Sequence, residues 1–137
     1  MGLIHLDAGV LIGFLDGDDA HHVAARDVLA GAVQAGDRLA MAASALAECL
    51  VGPARRGGAE IRAVRTLVER IPIAIVPVDV EIAETTARLR ATHPSLRLPD
   101  ALVIATAIES SADRLVTTDR KWPSARVMKL RATLTLL

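Results

Sequence analysis

Four acidic residues occupy positions where a carboxylate could do chemistry. Asp7 and Asp119 each follow a short apolar run, Asp100 comes directly after Pro99 at the start of an apolar helical segment, and Glu48 interrupts another apolar stretch. If these side chains meet, their repulsion would keep some of them protonated unless a cation neutralised the charge. Oxygen ligands alone favour a hard ion, so the pattern predicts a Mg²⁺ site in which Mn²⁺ could substitute.

Such an ion would give the acids a reaction, because it can activate water and stabilise the charge on a phosphodiester. Thr117 and Thr118 offer hydroxyl groups beside Asp119 that could hold a carboxylate or a metal-bound water. Each Asp also has an ordinary structural interpretation, as a helix cap or a turn residue. Glu48 is harder to explain structurally, because an unpaired buried glutamate is costly.

The elements that would position these acids alternate between strands and helices. Short apolar segments predict strands at 3–6, 39–42, 73–78, 115–117 and 126–130. Helical patterns fill 10–15, 20–35, 44–50, 59–70, 79–93 and 101–108, with Ser44 and Asp79 as expected N-caps. The alternation predicts an α/β fold: one domain over residues 1–137, a three-layer α/β/α sandwich with a mostly parallel five-stranded sheet. The functional site of such a sheet lies at the carboxyl ends of its strands.

Composition narrows the possible functions. The 137 residues are 52% hydrophobic and 23% charged, as expected of a folded globular chain rather than a disordered one. Phe14 and Trp122 are the only aromatic residues, which argues against modules that stack bases on aromatic side chains. One cysteine excludes an internal disulfide and a cysteine-based zinc site. No apolar run approaches the length of a membrane span, so we expect a cytoplasmic protein without membrane association.

Four segments together resemble the PIN-domain family. They are LDAGVLI at 6–12, SALAE at 44–48, LPDALVIATA at 98–107 and LVTTD at 115–119. Any one of them is weak evidence, but all four in this order and at these intervals are specific. Their order and the chain length are similar to VapC-type toxins of toxin–antitoxin pairs.

The resemblance implies a Mg²⁺-dependent endoribonuclease that acts on single-stranded RNA and leaves a 5′-phosphate and a 3′-hydroxyl. It places Asp7, Glu48, Asp100 and Asp119 at the family's acidic positions and Thr117 at a supporting position. It also implies a homodimer and a cognate VapB-like antitoxin that occupies the site. The chain departs from the family in one respect: Ala8 and Gly9 stand where many relatives have Ser, Thr or Asn. We therefore expect altered, but not abolished, metal binding.

Basic residues near the acids are candidates for contact with RNA or the antitoxin. Arg55 and Arg56 follow the helical stretch that contains Glu48, and Arg97 and Arg120 flank Asp100 and Asp119. The net charge of zero, from 16 basic and 16 acidic residues, is therefore interpreted as an acidic cluster with arginines around it.

Two other functions remain as alternatives. A receiver-type phosphoacceptor domain needs an acidic pair after the first strand and a late lysine, but Ala8 and Gly9 follow Asp7, and Lys129 falls inside the predicted last strand. A haloacid-dehalogenase-like phosphatase fails similarly, because Gly9 occupies the position of its second acid. The other alternative is a catalytically silent PIN-like binding module.

Overall fold

A computed structural model describes all 137 residues and contains a five-stranded sheet with six helices. The strands are β1 (Leu3–Leu6), β2 (Arg38–Ala42), β3 (Ile73–Val76), β4 (Arg114–Thr117) and β5 (Thr133–Leu136). Their order is β3-β2-β1-β4-β5, and every neighbouring pair is parallel. The predicted three-layer α/β/α fold is confirmed.

The helices are α1 (Ala8–Leu15), α2 (His22–Ala35), α3 (Ala43–Arg56), α4 (Gly58–Arg70), α5 (Val80–Thr92) and α6 (Leu98–Glu109). Local sequence explains several of their ends. The Asp79 carboxylate accepts a hydrogen bond from the Ile82 backbone N–H at 2.9 Å and so caps α5 as predicted. Gly36 ends α2 with φ of 72°, a conformation that glycine adopts at little cost. None of the six helices has both the length and the apolar character that crossing a membrane requires.

The core contains the central strands β1 and β4 and the apolar helix α6. Leu6 on β1 and both Leu115 and Val116 on β4 are fully buried, as expected for strands covered on both faces. Helix α6 has no polar face over its middle turns, and its residues from Val103 to Ala107 are all buried. The prediction that this helix is buried on most sides is confirmed, and its rigid packing fixes the first turn that carries Asp100.

The predicted fifth strand was wrong. Residues 126–130 form turns in which Met128 packs into the core and Lys129 has φ of 53°, and the strand at the sheet edge is Thr133–Leu136. Its alternation of threonine and leucine is typical of a strand at an exposed edge, where only part of each residue is covered. Within 126–130 only Met128 is buried, whereas Val127 and both charged residues are exposed, so the segment anchors a loop rather than forming a strand.

Helix α3 also differs from its prediction at both ends. It begins after Ala42 without a side-chain cap, and the Ser44 hydroxyl is buried with no hydrogen-bond partner. The helix continues through Pro53 to Arg56 instead of ending near Gly52. Arg55 and Arg56 therefore lie in its last turn rather than in a following loop.

Candidate functional site

The acidic residues lie around the point where the order of the strands in the sheet reverses. The chain runs from β1 outward to β2 and β3, then crosses to the other side of β1 to form β4. The carboxyl ends of β1 and β4 therefore border a topological switch point, where ligands of open α/β sheets usually bind. Asp7 directly follows β1 and donates its backbone N–H to the Val116 carbonyl at 2.9 Å. Asp119 lies two residues beyond the end of β4.

Asp7 is the most buried of the four acids, with 8% of its surface exposed. Its Oδ1 accepts a hydrogen bond from the Ala8 N–H at 2.8 Å, and its Oδ2 accepts one from the Thr117 hydroxyl at 2.7 Å. Asp7 is thus the N-cap of α1, so the structural interpretation of this residue is correct whatever else it does. Burial raises the pKa of Asp7, the two hydrogen bonds oppose the rise, and the charges of Asp100 and Asp119 add to it.

Thr117 connects two of the acids. It is the last residue of β4, it is 1% exposed, and its hydroxyl donates to Asp7 while accepting from the backbone N–H of Asp119 at 3.0 Å. A buried side chain with both roles satisfied has a single orientation. Thr117 therefore fixes the Asp7 carboxylate relative to the loop that carries Asp119.

Asp100 lies in the first turn of α6, where Pro99 occupies one of the first two helical positions. Burial raises the pKa of Asp100; the Trp122 indole lowers it, the charge of Asp119 raises it and Arg97 lowers it. The Trp122 indole nitrogen is buried and forms no hydrogen bond of good geometry, so its influence on Asp100 is that of a nearby N–H rather than of a well-formed bond. Asp100 and Asp119 line the same cleft and so share one region of the surface.

Glu48 corrects one expectation. The sequence suggests a buried glutamate, but Glu48 lies on the exposed side of α3 while its neighbour Cys49 is 4% exposed and packs inward. Partial burial still raises the pKa of Glu48, Asp7 and Asp100 raise it further, and Arg97 lowers it. Glu48 therefore approaches the same carboxylate group from the solvent side.

A cleft of about 580 Å³ opens beside Asp100 and Asp119. It is lined by Ser95, Leu96, Arg97, Asp100, Thr118, Asp119, Arg120, Lys121 and Trp122. Two of the predicted contact arginines, Arg97 and Arg120, thus lie next to the acids. Lys121 and Trp122 also line the cleft, and their closeness in sequence to Asp119 is the signal by which they could be found.

The other two predicted contact arginines belong elsewhere. Arg55 and Arg56 are exposed in the last turn of α3. Arg56 lines a separate, more apolar cleft of about 510 Å³ between α1, α3 and α4, and its Nε lies 3.8 Å from the Glu60 carboxylate. The structure therefore does not bring Arg55 and Arg56 into the cleft beside Asp100.

The donor set fits a hard divalent cation better than any other group. No three His, Cys, Asp or Glu side chains are arranged to hold a metal ion by themselves. Mg²⁺ retains several waters, however, and commonly uses only one or two protein carboxylates. Asp7, Asp100, Asp119 and Glu48 offer oxygen atoms only. A cation among them would offset the repulsion that, after burial, raises the pKa of Asp7, Glu48 and Asp100.

Comparison with known proteins identifies the family. A model of the PIN domain matches residues 4–127. The chain belongs to the PIN domain family. No curated protein sequence is significantly similar to it.

Three solved structures illustrate how this PIN domain compares with others. VapBC-1 from nontypeable Haemophilus influenzae shares 18% identity at a TM-score of 0.72, with 98% of this chain and 97% of that one covered. VapC20 of Mycobacterium tuberculosis, described as a sarcin–ricin loop cleaving toxin, shares 16% at 0.71, covering 86% and 91%. A toxin–antitoxin complex from Klebsiella pneumoniae shares 23% at 0.66, covering 86% and 88%. At these identities the likeness shows a common fold.

The receiver alternative is inconsistent with the fold. Lys129, which would have to act with Asp7, lies in the turn before β5 and lines a cleft with Asp113, the residue just before β4 begins. Lys129 is therefore at the amino edge of the sheet, whereas Asp7 is at the carboxyl edge. Together with the family membership, this placement removes the signalling hypothesis.

Proposed function

We propose that this PIN domain is a Mg²⁺-dependent endoribonuclease of VapC toxin type that cleaves single-stranded RNA in the cytoplasm. The observation that carries the proposal is the group of four carboxylates around the switch point, beside a cleft with three basic side chains. Burial, together with the charges of neighbouring acids, raises the pKa of Asp7, Glu48 and Asp100. Metal-assisted phosphodiester hydrolysis needs this combination of anionic ligands and cationic substrate contacts.

Each acid has a role that follows from its environment. Asp7, fixed by Thr117 and the Ala8 N–H, would be the most rigid ligand, with Asp100 and Asp119 completing the ion's inner or water-mediated contacts. When bound, Mg²⁺ supplies an activated water and stabilises charge on the phosphate. Glu48, exposed and with a raised pKa, would accept or return a proton at the solvent side of the site. By resemblance to the family, the products carry a 5′-phosphate and a 3′-hydroxyl.

The RNA would be held by its backbone. Arg97, Arg120 and Lys121 line the cleft beside the acids, and their charges suit phosphate groups. The one aromatic residue there, Trp122, is only 9% exposed and so cannot offer a stacking surface. Selectivity would then depend on RNA shape and backbone geometry.

Removal of single carboxylate charges tests the activity. We expect Asp7→Asn and Asp100→Asn to lower the rate of cleavage of a labelled single-stranded RNA by about 100-fold or more, as several kcal/mol of metal assistance would require. Asp27→Asn is the matched control, because Asp27 is an exposed residue of α2 whose only ion pair is with its neighbour Arg26. Circular dichroism would verify that all three variants fold.

Metal removal and the control variant distinguish cleavage by this protein from cleavage by a contaminating ribonuclease. Cleavage by the parent should disappear with EDTA and return with Mg²⁺ or Mn²⁺, whereas Asp27→Asn should match the parent. Cleavage that persists in both Asp7→Asn and Asp100→Asn would show that the carboxylates do not catalyse it, and the proposal would be abandoned.

An antitoxin partner and a homodimer complete the proposal. The solved relatives include toxin–antitoxin complexes, and the apolar cleft between α1, α3 and α4 offers Ile12, Leu15 and Leu67 to a partner helix. Co-expression with a protein encoded by a small reading frame next to this gene should yield a stable complex without ribonuclease activity. Sedimentation of the isolated chain should give twice the monomer mass of 14.5 kDa.

One observation favours a second candidate, a catalytically silent PIN-like binding module. No three potential ligand side chains are grouped closely enough to hold an ion on their own. Calorimetric titration decides between the two: heat of binding at millimolar Mn²⁺ that disappears in Asp7→Asn supports the enzyme, and no binding to the parent supports the silent module.

A further inference from the structure

Gly9 and Thr118 fit together at the edge of the carboxylate site. Gly9 lies in the first turn of α1, two residues after Asp7, and Thr118 lies between Thr117 and Asp119. A Cβ atom built on Gly9 would overlap Thr118 Oγ1 and would stand 3.3 Å from its Cβ and 3.5 Å from its Cγ2. The Thr118 side chain therefore fills the space that a side chain at position 9 would need.

The Thr118 hydroxyl is also free. The Thr117 hydroxyl is used twice, by Asp7 and by the Asp119 N–H, and the hydroxyls of Thr86 and Thr106 bond to carbonyls of their own helices. No protein hydrogen bond engages the hydroxyl of Thr118, which is half-buried and lines the cleft with Asp100 and Asp119. A hydroxyl held in this way has both its donor and its acceptor available to water or a ligand.

A neutral polar group suits this position. Asp100 and Asp119 line the same cleft as Thr118, and a further charge there would increase their repulsion. A hydroxyl can donate to a carboxylate and accept from a water at the same time, without adding charge. The sequence suggests that no polar group stands near the first turn of α1, but the β4–loop segment supplies one from the other side of the switch point.

We propose that Thr118 is a positioning residue of the carboxylate site, with Gly9 as the gap that admits it. Its hydroxyl orients a metal-bound water or a ligand carboxylate over the first turn of α1. This inference rests on the proposed function, since it assigns a role within the same metal site. The sequence offers Thr117 and Thr118 alike, and the structure separates them: the Thr117 hydroxyl is used by Asp7 and Asp119, whereas the Thr118 hydroxyl is unused and lies against Gly9.

The hydroxyl is tested by an isosteric pair of variants. Thr118→Val keeps the shape of the side chain and removes the hydroxyl, whereas Thr118→Ser keeps the hydroxyl. We expect Thr118→Val to weaken Mn²⁺ binding in calorimetry by about tenfold, as loss of a supporting hydrogen bond around a metal typically does. The kcat for RNA should fall with KM little changed, and Thr118→Ser should remain within about twofold of the parent in both measurements. Thr118→Val with parental Mn²⁺ affinity and kcat would overturn the proposal.

The gap at position 9 is tested by adding a side chain there and removing the one at position 118. In an ordinary helix Ser is more favourable than Gly, so Gly9→Ser should not lower stability by propensity alone. Because the new Cβ would overlap Thr118 Oγ1, we expect Gly9→Ser to lower the melting temperature, and Thr118→Gly in the same chain to restore it. The double variant should also bind Mn²⁺ more tightly than Thr118→Gly alone, because the serine returns a hydroxyl. If the double variant recovers neither stability nor affinity, the two residues are not a matched pair.

The outcomes separate this inference from the proposed function. If the parent binds Mn²⁺ but cuts no RNA, and Thr118→Val binds Mn²⁺ more weakly, the role of Thr118 stands and the ribonuclease proposal fails. If the parent cleaves RNA and Thr118→Val is indistinguishable from it, only the inference fails. If the parent does not bind Mn²⁺, both fail.

Discussion

His5 lies at the middle of β1, is 1% exposed, and has no hydrogen-bond partner for either ring nitrogen. Its neighbours across the sheet are Ala40 on β2 and Leu115 on β4. Burial lowers the pKa of His5 from 6.5 to about 4, so the ring is neutral in the folded protein at pH 7. Between about pH 6.5 and pH 4, His5 binds a proton in the unfolded chain but not in the folded one. The free energy of unfolding must therefore fall as the pH drops through this range.

Replacement of His5 should flatten this pH dependence. The difference between pKa values of 6.5 and about 4 corresponds to about 3 kcal/mol of unfolding free energy between these limits. The raised pKa values of Asp7, Glu48 and Asp100 act in the opposite direction, because a carboxyl that protonates more readily when folded gains stability as the pH falls. The contribution of His5 is measured by urea unfolding of the parent and of His5→Leu at pH 7.5 and pH 4.5: the parent should lose more unfolding free energy between the two pH values than the variant does. An equal change in the two chains would contradict the prediction.

At the scale of single elements, Asp79 shows how local sequence sets a helix end. Its carboxylate caps α5 through Ile82, and α5 packs on α6, which carries Asp100. We expect Asp79→Ala to cost about 1 kcal/mol of stability, which is typical for loss of an N-cap. Ribonuclease activity should stay at the parental level, because Asp79 is exposed and is not among the residues that line the cleft beside Asp100. Thermal melts and single-stranded RNA cleavage check the two halves of this prediction, and Asp79→Asn, which can still cap, is the control.

The elements also show how far the sequence could predict this molecule. Helices that end in strong local signals, such as Gly36 and Asp79, and strands with continuous apolar character were predictable, because those signals act within a few residues. The strand at the sheet edge was missed, because β5 is only partly covered and its pattern depends on pairing with β4. The acids at the ends of β1 and β4 followed from the topology rule. The exposure of Glu48 and the contact of Thr118 with Gly9 depend on how α3 and the β4 loop pack, which no local pattern encodes.

At the scale of the whole molecule, the net charge of zero does not describe the local charge, because basic side chains line the cleft beside the carboxylates. Arg97, Arg120 and Lys121 line the cleft at the carboxylate edge of the sheet, whereas Arg62 and Arg65 are exposed along α4. Binding of single-stranded RNA should therefore weaken as salt increases, by counterion release. Arg120→Ala should lower the affinity and reduce the slope of log K against log salt by about 0.7, the value for one phosphate contact on a single strand. Arg62→Ala, measured alongside in EDTA by fluorescence anisotropy, should leave both unchanged; equal effects of the two variants would argue against a specific phosphate track.

The carboxylate site should also cost the whole molecule stability when no metal is bound. Because folding raises the pKa values of Asp7 and Asp100, the stability associated with them is present below their unfolded pKa and is lost as the pH rises through the folded pKa. At neutral pH in EDTA, Asp100→Asn should therefore melt at a higher temperature than the parent, since it removes one of the repelling charges.

Divalent metal should reverse that order. At 100 times its dissociation constant, Mn²⁺ stabilises the chain that binds it by about 2.7 kcal/mol, which moves the melting temperature of a domain of this size by several degrees. The parent should gain this shift and Asp100→Asn should gain much less, so that the two melting curves exchange places on addition of Mn²⁺. The gain should shrink as the pH is lowered, because protons compete with the metal for carboxylates whose pKa values are already raised. If Asp100→Asn is less stable than the parent in EDTA and gains the same shift with Mn²⁺, the Asp100 carboxylate neither repels its neighbours nor binds the ion. The residues that bind the ion would then have to be found elsewhere than at Asp100.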